Sequence, residues 1–232
     1  MQSMAQSKAS TKINRDKDGS LTDQAYQELE ERIVTLQLQP GEVLSESALS
    51  EQLGIGRTPI REALQRLARE GLILILPRKG ILVSEINPSK QLLVLEVRRE
   101  LERLMARAGA ARRTGPERDA FLEIANGMEH AASDNDDIAF MRYDNDFNAL
   151  IARAAHNEYA LRAIDLMNGL SRRFWYVHYK EAADLPLCAR LHASVARAIA
   201  NGDPEQAAAA SDRLVDYVET FTRATVETVP VR

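Results

Sequence analysis

The stretch from Gly54 to Ile86 constrains the fold more than any other part of the chain. Gly54-Ile55-Gly56 is a tight turn, and a helix follows it. Thr58 is placed to cap that helix, Pro59 suits its first turn and Gly71 its end. Ile60, Ala63, Leu64 and Leu67 recur at helical spacing and make a buried stripe. The period then changes. Leu72 to Leu76 and Ile81 to Ile86 are β-prone runs, and Pro77-Arg78-Lys79-Gly80 between them makes a hairpin.

Upstream, Thr22 to Leu38 reads as a helix on Tyr26, Leu29, Ile33 and Leu36, with Pro40-Gly41 as its stop. Ser47 to Leu53 reads as a second, with Leu49 and Leu53 inward. Three helices and a β-hairpin wing, with a glycine turn between the second and third helices, predict a winged helix-turn-helix over 21–87. Its third helix would lie in the major groove of double-stranded DNA, N-terminal residues nearest the bases. Beyond Asn87-Pro88 the pattern is helical to the end: Ser89–Arg113, Pro116–Ala132, Asp136–His156, Glu158–Lys180, Leu185–Ala200 and Pro204–Glu227. Short breaks join these six helices, which predicts a mainly α protein ending in an antiparallel six-helix bundle over 88–228. Residues 1–20 are polar, without the apolar segment of a secretory signal, and read as a disordered arm.

A formal net charge of -4 argues against nucleic acid until its distribution is read. From Leu21 to Leu53 seven acidic residues face Arg32 alone, whereas from Gly54 to Gly80 six basic residues outnumber Glu62 and Glu70, leaving a local +4. Arg61, Gln65 and Arg69 fall opposite the apolar stripe, and Arg57 and Arg61 stand at the N-terminal end. A guanidinium fork matches guanine O6 and N7. Thr58 and the free N–H groups of the turn suit a phosphate. Arg78, Lys79 and Gly80 at the hairpin tip could reach phosphate or the minor groove, where glycine lets the backbone come close. A single cysteine, Cys188, fits a reducing cytoplasm, and no apolar run approaches the roughly 18 residues of a membrane span.

The run Pro40-Gly41-Glu42 through Leu49, then Gly54-Ile55-Gly56-Arg57-Thr58-Pro59-Ile60-Arg61-Glu62-Ala63-Leu64, Glu70-Gly71-Leu72 and a wing ending in Gly80, closely resembles the DNA-binding domain of GntR-family regulators. The resemblance implies operator contacts by Arg57, Thr58, Arg61 and Gly80. Many members carry arginine where this chain has Ser47, so one operator base would be read differently here. The second half resembles the FadR-like subgroup with an all-helical FCD domain, on Val97 to Glu102, Asp144-x-x-Phe147, Leu191-His192 and Gly202-Asp203.

That subgroup often binds a divalent metal such as zinc through one Asp and three His. Here the matching positions are Asp144, Asn148, His192 and, across the last helical hairpin, Leu214, so two donors are missing. Asp144 and His192 alone would hold zinc weakly. They are expected instead to face the pocket and pair with each other or with a ligand, and no cofactor is required. The subgroup senses organic acids, and Arg98 matches its recurrent arginine, so Arg98, Asp144, Asn148 and His192 are the candidate ligand-binding residues. Arg98 could equally pair with Glu102, and Glu96 with Arg99. Arg172 and Arg173 need an anion if buried. Phe174, Trp175, Tyr176 and Tyr179 form an aromatic cluster that suits a core or a dimer contact. His156 suits a helix end. The expectation is a homodimeric cytoplasmic regulator whose operator affinity a carboxylate controls, repression with ligand-induced release being the pattern the resemblance implies. An enzyme built on Asp144 and His192 has no nucleophile motif or phosphate loop to support it.

Overall fold

The computed structural model describes residues 19–78, 80–182 and 184–228. The expectation for the arm falls on residues 1–18, outside the described residues, as does Lys79; Ser20 already caps the first helix.

α1 (Leu21–Val34) starts in a capping box, Ser20 accepting from the Asp23 N–H while Asp23 reaches back to the Ser20 backbone. It ends four residues earlier than the apolar spacing suggests. Thr35 Oγ1 donates to the Glu31 carbonyl and Leu36 adopts a left-handed φ of 59°, so the chain turns before Pro40. β1 (Val43–Leu44) leads to α2 (Glu46–Leu53), capped by Ser45 and closed by Gly54 in the left-handed region. α3 (Arg57–Arg69) follows. Its N-cap is Gly56, with no side-chain cap, so Thr58 lies inside the first turn rather than capping it.

β2 (Ile73–Leu76) and β3 (Gly80–Val83) form the hairpin, with Leu76 opposite Gly80 and Ile73 opposite Val83. β1 pairs with β3, giving the antiparallel order β1-β3-β2. The sequence reading missed β1: two residues carry no period, and only the partner strand makes them a strand.

The remaining helices are α4 (Pro88–Arg112), α5 (Gly115–Ser133), α6 (Asp137–Ala154), α7 (Glu158–Ala182), α8 (Leu185–Asn201) and α9 (Pro204–Thr228). The starts of α4, α5, α6 and α8 are set by Asn87, Thr114, Asp136 and Asp184, each accepting a backbone N–H of the first turn. α4 packs chiefly on α9, and α5 on α8. The protein is thus mainly α, with, among the described residues, one small sheet beside three N-terminal helices.

Two apolar clusters fill it. Leu29, Ile33, Ile60, Leu64, Leu67, Leu72 and Ile73 form the first, and Met105, Phe121, Met128, Phe140, Ile164 and Ile199 belong to the second. α1 and α7 stitch them together. Val34 at the end of α1 is buried in the second cluster, while Leu170 of α7 packs on the first. Between them, Gly169 of α7 lies against Leu72, where a Cβ would stand 2.6 Å from Leu72 Cδ1.

Candidate functional site

α3 buries Ile60, Ala63, Leu64 and Leu67 and exposes Arg57, Thr58, Arg61, Gln65 and Arg69. The burial period of 3.6 therefore sorts the helix into an apolar base and a cationic face. Arg61 is engaged by a neighbour. Its Nε donates to Glu46 Oε1 and Oε2 at 3.1 and 3.2 Å, and Nη2 donates to Oε2 at 2.8 Å. Hydrogen bonds and charge from Arg61 hold the Glu46 carboxyl below the ordinary range, with Arg57 adding to the effect. The far end of α3 is tied to α1: Tyr26 donates to Glu70 at 2.9 Å, and the Arg66 guanidinium stacks 3.6 Å over the Tyr26 ring. Arg78 and Gly80 of the wing are exposed, and both have positive φ, 64° and 91°, so Gly80 serves the turn.

The second candidate is a cavity in the helical half, of about 600 Å³ with its open mouth included. Its lining includes all four sequence candidates, Arg98, Asp144, Asn148 and His192, and also Arg172 and Leu214. Arg98 pairs with Glu102, Nε to Oε1 at 2.6 Å, yet its buried Nη1 has no hydrogen-bond partner among the described residues. Arg99 takes Asp216 and Glu219 of α9 rather than the Glu96 suggested by helical spacing. Phe174, Trp175 and Tyr179 are buried in the core, Trp175 against Phe221 at 4.7 Å.

His192 sits at the centre, edge-on to Phe140 and Phe147. Nε2 lies 3.2 Å from Asp144 Oδ1, and Nδ1 lies 2.9 Å from the Cys188 carbonyl oxygen. Both ring nitrogens face oxygen acceptors, an arrangement that favours the doubly protonated ring. Burial opposes that charge, but Cys188 and Asp144 outweigh it and hold the His192 pKa well above its ordinary value. Burial likewise opposes a charged Asp144, and His192, Arg172 and Arg98 outweigh it, leaving the carboxyl below its usual range.

The family's metal does not fit this donor set. Only Asp144 and His192 of the four positions carry an ionic or imidazole donor, and the Asn148 amide is turned to donate to the Asp144 carbonyl oxygen at 2.8 Å. Leu214 is apolar, and the Cys188 sulfur lies beside Nδ1, on the side of the ring away from Asp144. Among the described residues no three His, Cys, Asp or Glu side chains converge as an ion would need. His156 stands elsewhere, at the end of α6, with Nε2 3.4 Å from Glu117.

Arg172 joins the cavity to the N-terminal half. Nε lies 3.6 Å from Asp144 Oδ2, and Nη1 donates to Glu30 Oε1 of α1 at 2.5 Å. Both side chains of the second pair are almost fully buried. Its neighbour Arg173 donates to the Ser84 carbonyl oxygen and hydroxyl just after β3. Sequence reasoning missed Glu30 and Glu46. Glu30 had a signal: with Tyr26 and Ile33 it completes the i, i+4, i+7 stripe of α1, a charge where an apolar residue is expected. Glu46 had none, because its partner is fifteen residues away on another helix.

Two family models match this architecture: bacterial regulatory proteins of the gntR family over residues 21–83, and the FCD domain over residues 93–217. The chain belongs to the GntR family, in its FCD-containing branch. This GntR-family chain is 26% identical over 180 residues to the Nta operon transcriptional regulator of Aminobacter aminovorans, covering 76% of this chain and 82% of that one. It is 25% identical over 183 residues to the HTH-type transcriptional repressor RspR of Escherichia coli, covering 79% and 80% respectively. An uncharacterized HTH-type regulator of Streptomyces ambofaciens reaches 43% identity, but over 65 residues, 28% of each chain; a further relative from Agrobacterium vitis is matched over 46% of its length. The fold of E. coli McbR/YncC superposes with a TM-score of 0.77 at 20% identity, covering 90% of this chain and 99% of that one. No helix among the described residues is long and apolar enough to cross a membrane.

Proposed function

We propose that this GntR-family protein is a DNA-binding transcriptional regulator whose operator affinity is set by a carboxylate held in the helical half. Residues 21–87 form the DNA-binding domain and 88–228 the ligand-binding and dimerisation domain. Arg57 and Arg61 read guanine, Thr58 and Gln65 support them from α3, and Arg78, Lys79 and Gly80 of the wing track the backbone or minor groove. The observation that carries ligand control is Arg172. It lines the cavity and bonds Glu30 of α1, the helix that packs on α3. An anion that draws on Arg172 or on the unpartnered Arg98 Nη1 changes the support of the reading helix, and differential affinity for two arrangements shifts their populations.

A homodimer follows from the shortness of one recognition helix, since two half-sites double the contacts. Leu93, Val97 and Leu104 support it: all three are exposed on one face of α4. Repression relieved by the acid in the cytoplasm is the pattern this reading favours, with no cofactor and no catalysis.

The test begins with the full-length protein selecting its site from randomised double-stranded DNA. Operator affinity is then measured with each of a panel of mono- and dicarboxylates that raise the melting temperature. At least one should change the affinity several-fold. Carboxylates that stabilise the protein but leave operator affinity untouched would refute ligand control, and failure to enrich any sequence would refute specific DNA binding.

A further inference from the structure

The Glu46–Arg61 pair brings an acidic side chain of α2 onto the exposed cationic face of α3. Glu46 is the first residue of α2, fixed there by the Ser45 cap, and Arg61 lies one turn into α3. The arginine remains 59% exposed, so the pair is not burying a charge that needs a partner. What it does is geometric. A guanidinium has two bidentate edges, Nε with Nη2 and Nη1 with Nη2. Glu46 takes the first. Among the described residues every hydrogen bond of Arg61 goes to this one carboxylate.

We infer that Glu46 is a specificity-determining residue that acts through Arg61. It holds the side edge of the guanidinium so that only the end-on fork, Nη1 and Nη2, is offered to DNA, and that fork matches O6 and N7 of a guanine. A free arginine samples many rotamers and can serve any phosphate as readily as a base. A buttressed one is aimed before contact, which removes part of the ordering cost of binding. The same carboxylate repels the phosphate backbone, so it lowers affinity for all DNA while raising the contrast between sequences. Arg57 shares the field of Glu46, which keeps the carboxylate ionised between two cations. This goes beyond the function proposed above but takes from it that Arg61 faces a base.

The experiment uses the full-length chain, its selected site and single base-pair variants of that site in competition mobility shifts. Arg61→Ala should abolish discrimination at one base pair per half-site, a guanine in the preferred sequence. Glu46→Gln should weaken discrimination at that same pair roughly three- to tenfold, a fraction of what a bidentate contact supplies. It should leave the other pairs within about twofold and bind unrelated DNA more tightly. Glu46→Asp keeps the charge but shortens the reach; it should lose the discrimination without the gain in unrelated binding. Glu46→Gln with wild-type contrast at the Arg61 pair overturns the inference, as does a loss spread evenly over all pairs. If Arg61→Ala itself keeps full discrimination, the assignment of Arg61 to a base falls, and the buttress with it.

Discussion

Arg61 and Arg172 each hold a glutamate from a neighbouring helix, but 59% of the first side chain is exposed and only 7% of the second. Solvent screens the Glu46–Arg61 pair, so it adds little to stability, and the end-on fork that Glu46 leaves open stays available to another acceptor. Dissolving Glu30–Arg172 strands a charge away from water, which is costly. The difference separates two uses of one chemistry. On α3 one edge of the guanidinium is held and the other is left to solvent, so a further acceptor would displace only water. In the cavity the charge is committed, and under the proposed ligand control an anion would have to compete with groups that hold the two halves of the molecule together. On the proposed function, such an anion and the joint would therefore not be independent.

The sharpest way to break this comparison is at the joint. Arg172→Met leaves Glu30 and Asp144 short of a cation and should cost about 3–5 kcal/mol in urea unfolding, the usual loss when one partner of a buried pair goes. Glu30→Leu combined with Arg172→Met should cost much less than the sum of the single changes. A single-variant loss below about 1 kcal/mol would show the joint to be as exchangeable as the surface pair.

Next comes the donor set. Asn148→His with Leu214→His supplies the two imidazoles that Asp144 and His192 lack, all four positions lining one cavity. Zinc at a hundredfold excess over its dissociation constant should then stabilise the double variant by about 2.7 kcal/mol. The wild-type melting temperature should not respond. An equal response in the wild type would mean that the imidazolium reading of His192 is wrong.

At the exposed end, Arg57→Ala should reduce affinity for the selected operator by about 10- to 100-fold. The urea midpoint should stay where it is, since an exposed side chain on the polar face of α3 supports nothing beneath it. Loss of stability in step with loss of binding would erase the distinction between the two regions.

The smallest effect is a slope. The His192 pKa is raised in the folded protein, so its contribution is fully present below the unfolded value of about 6.5 and is lost as pH rises through the raised one. Asp144 runs the other way: its pKa is lowered, and its contribution goes as pH falls through that value. The groups facing the ring are Asp144 and Cys188, with Arg172 and Arg98 behind the carboxylate. Urea midpoints of the wild type between pH 6 and 9 should therefore decline more than those of His192→Gln. Parallel curves would show that the ring carries no extra proton.

The two regions also differ in how far the sequence reveals them. α3 is legible because its determinants are local: a glycine turn, a proline in the first turn, an apolar stripe and a terminal Gly71 all lie within eighteen residues. The one local misreading, Thr58 as cap, arose because Gly56 supplies the start with backbone alone. Most helices of the second half could be bounded within a residue or two for the same reason, through caps such as Thr114 and Asp184. The cavity was visible only as positions, Asp144 and His192 among them. Its electrostatics depend on which nitrogen meets which oxygen across three helices. Least visible is the joint, where Arg172 finds Glu30 142 residues away. No periodicity reports such a pairing; at most it marks Glu30 as a charge out of place.

Gly169 sets the clearance between the two halves. Leu72, which it faces, is fully buried, so its methyl group could give way only by repacking the cluster around it. A hydrogen at that position lets helix and strand entrance rest flush, with Glu30 Oε1 only 3.5 Å from where a methyl would sit. Surfaces fitted this closely do not slide by degrees; they stay seated or they lift. Alanine at 169 would act as a shim, prising the halves apart at the same spot where the arginine pulls them together.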